Sequence, residues 1–174
     1  MSRIVQIPVR THENFGDSIS KLINTLSEIS SIQDEEIILD FSRAKMLNPF
    51  FLCGLACVIQ RRQDFGKKFI LNHNENFNIN SYINTILFPS TLSPSANNEY
   101  NLKILGKYIA KTYIPIISFK TGNDNNTTLI RENILSSISQ LLKNQLKFSE
   151  GERQPLSYFL DELTNNINDH LGAD

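Results

Sequence analysis

The stretch EEIILDFSRAKMLNPFFLCGLACVIQRRQDFGKKFIL, Glu35 to Leu71, decides how this chain folds. It opens on a short, isoleucine-rich run bounded by charge, Glu35 to Phe41, which reads as a buried central strand. Asn48 followed by Pro49 then predicts a helix start. An asparagine side chain accepts from a free first-turn N–H, and a proline at the first helical position gives up no hydrogen bond. The helix is apolar almost all round as far as Ile59 and turns polar at Gln60, Arg61 and Arg62. Gly66 suits the left-handed residue that stops a helix, and KKFILN reads as the next strand.

Upstream, RIVQIPV (Arg3 to Val9) alternates like a strand, with Pro8 marking an edge or an end. Ile19, Leu22, Ile23, Leu26 and Ile29 recur at helical spacing, with Asp17 as the expected N-cap. Residues 1–72 therefore spell strand, helix, strand, helix, strand: a small α/β layer. Downstream, FNINSYINTILF suggests a short helix, Pro89 and Pro94 break the segment after it, and NLKILG reads as a last strand or a linker. From Lys107 the organisation restarts. KYIAKTYIPIISFKT is strand-like and TGNDNNTT is a loop. TLIRENILSSISQLLKNQL is a long amphipathic helix, SEGERQP is a loop, and a final helix is expected to open near Pro155.

Composition narrows the function. Of 174 residues, 40% are hydrophobic and 20% charged, ordinary for a globular protein. A formal charge of -1 gives no reason to expect a nucleic acid or an anionic membrane surface as partner. No apolar run approaches the roughly 20 residues that span a bilayer. The opening MSRIVQIPVR lacks the apolar core of a signal peptide, so a cytoplasmic location is expected. Cys53 and Cys57, four apart in an apolar stretch, are expected to be inert core thiols. His12, His73 and His170 are scattered and suggest no metal site. Arg61, Arg62, Lys67 and Lys68 read as a solvated cationic helix end.

The closing helix, FLDELTNNINDH (Phe159 to His170), carries two stripes. Leu156, Leu160, Leu163, Ile167 and Leu171 fall within about an 80° arc and read as its core face. Glu162, Asn166 and Asp169 form a second stripe beside it, with His170 at the border, so Glu162 and Asn166 could be half buried and aimed together into a pocket. A carboxamide oxygen is a hard neutral ligand suited to magnesium, and a carboxylate one turn earlier can take a proton from an attacking water.

ELTNNINDH resembles the N-box helix of the GHKL ATPase superfamily: Glu, three residues, Asn, then often a His four residues later. The resemblance spans residues 106–174 and implies the N-terminal portion of an α+β ATPase or protein-kinase domain binding Mg2+ and ATP. It implies Glu162 as general base, Asn166 as magnesium ligand, and Asn165 or His170 as phosphate contacts. The superfamily's Asp-x-Gly-x-Gly box and glycine-rich lid do not occur in the chain, so the half-domain is expected to be truncated, catalytically inactive and weak in nucleotide affinity. An unfinished sheet after residue 107 and some self-association are expected with it.

Residues 1–105 resemble the STAS domain of anti-sigma-factor antagonists, in which a strand ending in Asp leads through a loop to an apolar helix. That resemblance implies a protein partner. Where the family has a phosphoacceptor Ser or Thr before the helix, this chain has Leu47, Asn48 and Pro49; Ser42 lies nearer the strand end. The expected whole is an α/β protein, a STAS-like βαβαβ layer followed by an incomplete GHKL-type half-domain. Its alternative is a non-catalytic protein–protein interaction module.

Overall fold

A computed structural model of the chain describes residues 2–11, 14–72, 77–89, 98–118, 125–146 and 149–170. Within these, the side chains of residues 15, 77, 98, 127, 146, 150, 153, 156 and 164–170 are not described. The chain forms two compact units, Met1–Pro94 and Ser95–Asp174. The fold is mixed α/β. The first unit runs β1 (Ser2–Gln6), α1 (Phe15–Ser31), β2 (Glu36–Asp40), α2 (Pro49–Asp64), β3 (Lys68–Asn72) and α3 (Phe77–Thr85). The second holds α4 (Asn98–Tyr108), α5 (Asn125–Leu146) and α6 (Glu150–His170).

The strands pair in parallel in the order β1-β2-β3, with Ile4, Ile38 and Ile70 side by side in register. Parallel neighbours need a crossover, and α1 and α2 supply it. Both crossovers step in the same direction, so the right-handed rule sends both helices to one face of the sheet. Val5, Ile37, Leu39 and Phe41 are buried there, and α1 packs against α2. The other face carries Ile4 at 58% and Ile70 at 46% exposure. The expectation that β2 is fully buried therefore holds for one face only. An isoleucine-rich run fits either case, because composition does not record which side a crossover takes.

Local chemistry sets the helix ends. Asn14, rather than Asp17, caps α1: its Oδ1 accepts the Asp17 N–H at 2.8 Å, while Asp17 pairs with Lys21 at 2.6 Å one turn on. Asn48 caps α2 as expected, accepting the Phe51 N–H at 2.8 Å. Gly66 closes α2 at φ +79°, with Gly66 N–H on Gln63 O and Lys67 N–H on Arg62 O, the paired bonds of a Schellman motif. The cationic end is more than a solvated terminus. Arg62 donates to Ile32 O, and Lys67 donates to Gln33 O and Asp34 O, so both tie the end of α1 to α2. The helices cross closely at Gly54, where an added Cβ would lie 2.8 Å from a Leu22 methyl.

In the second unit, Leu105 of α4 packs with Ile134 and Leu141 of α5, flanked by Leu102, Ile130 and Ile138. NLKILG is thus helix, not strand: Asn101, Leu102 and Leu105 share one helical face. KYIAKTYIPIISFKT is not a strand either. Lys107 and Tyr108 end α4, residues 109–118 have no regular structure, and the rest lies outside the described residues. Among the described residues no strand follows β3, so the expected unfinished sheet after residue 107 is replaced by helices. The last helix also starts earlier than Pro155. Glu152 supplies the carboxylate half of a capping box, its Oε2 accepting the Ser149 N–H at 2.9 Å and the Ser149 hydroxyl at 2.7 Å, and Pro155 lies inside the helix.

Candidate functional site

The N-box-like residues sit on α6, whose helix is continuous from Glu150 to His170. Four residues at about 1.5 Å rise place Glu162 and Asn166 about 6 Å apart along the axis, on one side of the helix. Glu162 is exposed rather than half buried. The side chains of Asn165, Asn166 and His170 lie outside the described residues, as do those of Leu156, Ile167 and Leu171. Of the expected core stripe, Leu160 is half buried and Leu163 is 43% exposed. Tyr158 and Phe159 beside it are 69% and 56% exposed. The described part of α6 therefore presents a mixed apolar and acidic surface.

Among the described residues no group of three His, Cys, Asp or Glu could hold a metal ion. Magnesium keeps several waters and takes phosphate oxygens as ligands, so one or two protein oxygens suffice for it.

Sequence reasoning missed a cleft of about 500 Å³ between α5 and α6. Arg131, Ser136 and Ser139 line it from α5, and Ser157 and Asp161 from α6. Glu162, the next residue, is not among its lining residues. The Arg131 Nε is buried with no hydrogen-bond partner. The legible signal was the serine spacing on two adjacent amphipathic helices, but only the helix pairing makes one wall of it.

In the first unit, the site where the STAS resemblance places a phosphoacceptor is a closed polar network. Asn48 donates from its backbone to Thr11 Oγ1 and from Nδ2 to Thr11 O, each at 2.8 Å, and Nδ2 also reaches Ser18 Oγ at 3.3 Å. Thr11 and Ser18 are buried. Ser42 lies at the strand end, where its N–H donates to Asp40 Oδ1 at 2.9 Å. That bond holds the Asp40 carboxyl below its usual range, aided by Asn72 Nδ2 at 2.8 Å.

Cys53 and Cys57 are exposed, which overturns their expected place in the core. The buried face of α2 is Phe51, Leu52, Leu55, Ala56 and Ile59, and the thiols lie opposite, beyond Phe50 at 46% exposure. Partial burial, then the neighbouring Cys57, pushes the Cys53 thiol up, and burial, then Cys53, raises Tyr82 of α3. His12 and His73 fall outside the described residues. No family model, no curated protein and no solved structure matches this chain.

Proposed function

We propose that this chain is a signalling protein in which a STAS-like unit docks a protein partner and a helical unit carries the N-box side of a GHKL-type Mg-ATP site. The observation that carries the reading is the unbroken helix α6, on which Glu162 is solvent-accessible and stands one turn before Asn166. Phosphoryl transfer is mostly a matter of positioning, and one rigid helix fixes the separation of a base and a metal ligand. The parallel β1-α1-β2-α2-β3 order, with α2 starting just after the Asp40 strand end, supports the STAS-like half.

On this reading the chain carries no Asp-x-Gly-x-Gly adenine box of its own. Residues 1–174 alone should show no ATP turnover and little nucleotide affinity; micromolar ATP binding by them would contradict the half-site assignment. The decisive experiment uses the longest natural reading frame containing this chain. Mg-ATP should raise its thermal midpoint, Asn166→Ala should remove that shift, and Glu162→Ala should lower turnover while sparing binding. An equal shift in the parent and in Asn166→Ala would refute the metal-ligand role. A second reading, a non-catalytic interaction module, is favoured by the exposed Tyr158, Phe159 and Leu163 on the same helix. Under it both substitutions are silent toward nucleotide.

A further inference from the structure

Two thiols on the exposed face of α2 are a chemistry that the nucleotide reading does not use. They lie one helical turn apart and point from one side of the helix. The helix under them is held at both ends, by the Asn48 network and the Gly66 closure, and along its length by buried Phe51, Leu52, Leu55 and Ile59. Its backbone therefore presents the pair at a fixed spacing.

That spacing selects among the reactions of two thiols. Residues i and i+4 of a helix have Cβ atoms about 5–6 Å apart. A disulfide needs its Cβ atoms about 3.5–4.5 Å apart, so this helix disfavours one. Metal–thiolate bonds near the zinc value of about 2.3 Å put two sulfurs on opposite sides of one ion about 4.6 Å apart. Side chains at helical i, i+4 spacing reach that separation without backbone movement.

Ligand number then selects the ion. A zinc site needs four ligands, and the described residues hold no group of three His, Cys, Asp or Glu. Thiolates are soft ligands that favour Cu(I). Phe50, itself 46% exposed, precedes Cys53 by one turn, so an aromatic side chain borders the pair on the same helix. We propose that Cys53 and Cys57 form a two-thiolate site for a soft, low-coordinate ion of the Cu(I) type. Binding forms two copper–sulfur bonds and breaks two S–H bonds; both protons go to solvent, and copper and sulfur keep their oxidation states.

The test is an anaerobic titration of the whole chain with Cu(I) against a chromophoric Cu(I) chelator, followed by X-ray absorption and size-exclusion chromatography. The expected result is one ion per chain, two sulfur ligands, and no copper-dependent change in elution volume. Cys53→Ser and Cys57→Ser should each weaken retention at least tenfold, with the far-UV circular dichroism of the parent. Tyr82→Phe, which keeps both sulfurs, should retain one ion and serves as the folded control. Retention that survives either cysteine substitution, coordination by more than two sulfurs shared between two chains, or no retention by the parent would each overturn the proposal.

Discussion

Asn48 makes four hydrogen bonds at the start of α2. It caps α2 and joins it to Thr11 and to Ser18 of α1 through half-buried hydrogen bonds. Asn48→Ala removes a cap worth about 0.5–2 kcal/mol and one of the two side-chain donors to the buried Thr11 carbonyl, Ser18 Oγ being the other, at about 0.5–1.5 kcal/mol more. A loss of roughly 1–3 kcal/mol in urea unfolding is expected, and a loss indistinguishable from that of an exposed Asn→Ala change would refute the network. Asn48→Asp sharpens the point. It keeps the cap acceptor but turns a carboxylate toward the Thr11 carbonyl, so it too should destabilise. Asp40 gives the pH-dependent counterpart. Its folded pKa lies below the unfolded value because Ser42 N–H, burial opposing it, and Ser42 and Asn72 side chains act on the carboxyl. Its contribution is therefore complete above the ordinary carboxylate range of about 4 and is lost as pH falls through the lower folded value. Asp40→Asn should narrow its stability gap to the parent as pH drops from about 5 toward 2, measured as thermal midpoints at each pH. A gap that stays constant over that window would remove Asp40 from the account.

At the scale of elements, what was legible depended on whether a start or stop signal is local. Asn48-Pro49 and Gly66 each do their work within a few residues, and α2 begins and ends where they say. Two glycines separate the causes. Gly66→Ala puts a Cβ on a residue at φ +79° and should cost about 1–2 kcal/mol. Gly106→Ala, in α4 with nothing within 4 Å of the added methyl, should instead stabilise by up to about 1 kcal/mol through helix propensity. Equal and same-signed shifts in chemical denaturation would refute the backbone assignment. Ser149-x-x-Glu152 was equally local and could have replaced Pro155 as the start of α6. What could not be read was the orientation of α2. Phe50, Cys53 and Cys57 are as apolar as Phe51, Leu52 and Leu55, so periodicity cannot say which set meets the sheet. The misplaced thiols result from that ambiguity. The short segment Asn101–Gly106 failed for a related reason: six residues hold too little pattern to separate a period of 2 from one of 3.6, and packing on α5 decides it.

At the largest scale, three strands wound in one direction send α1 and α2 to one face of the sheet and leave Ile4 and Ile70 exposed on the other, and this bears on how the chain should behave in solution. Parallel sheets are nearly always covered on both faces. Here Ile4, Ile38 and Ile70 form an apolar row across all three strands on the open side. Polar rows flank it, Ser2, Glu36 and Lys68 on one side and Gln6, Asp40 and Asn72 on the other. A narrow stripe of three isoleucines returns only about 1–3 kcal/mol per side chain on full burial, against association costs of about 4–15 kcal/mol. Contact through this face should accordingly be weak and concentration-dependent rather than a tight dimer. The exposed Tyr158, Phe159 and Leu163 of α6 are the rival source of self-association, a single helical stripe with acidic Asp161 and Glu162 beside it. Because those carboxylates repel a second copy of the same stripe, the sheet face should dominate. Sedimentation velocity over a concentration series should show a rising average mass. Ile4→Lys with Ile70→Lys should return the chain to monomer, while Phe159→Ser with Leu163→Ser should leave the rise largely intact. A strictly monomeric parent would remove self-association altogether, and the reverse ranking of the two variants would move it from the open sheet face to α6.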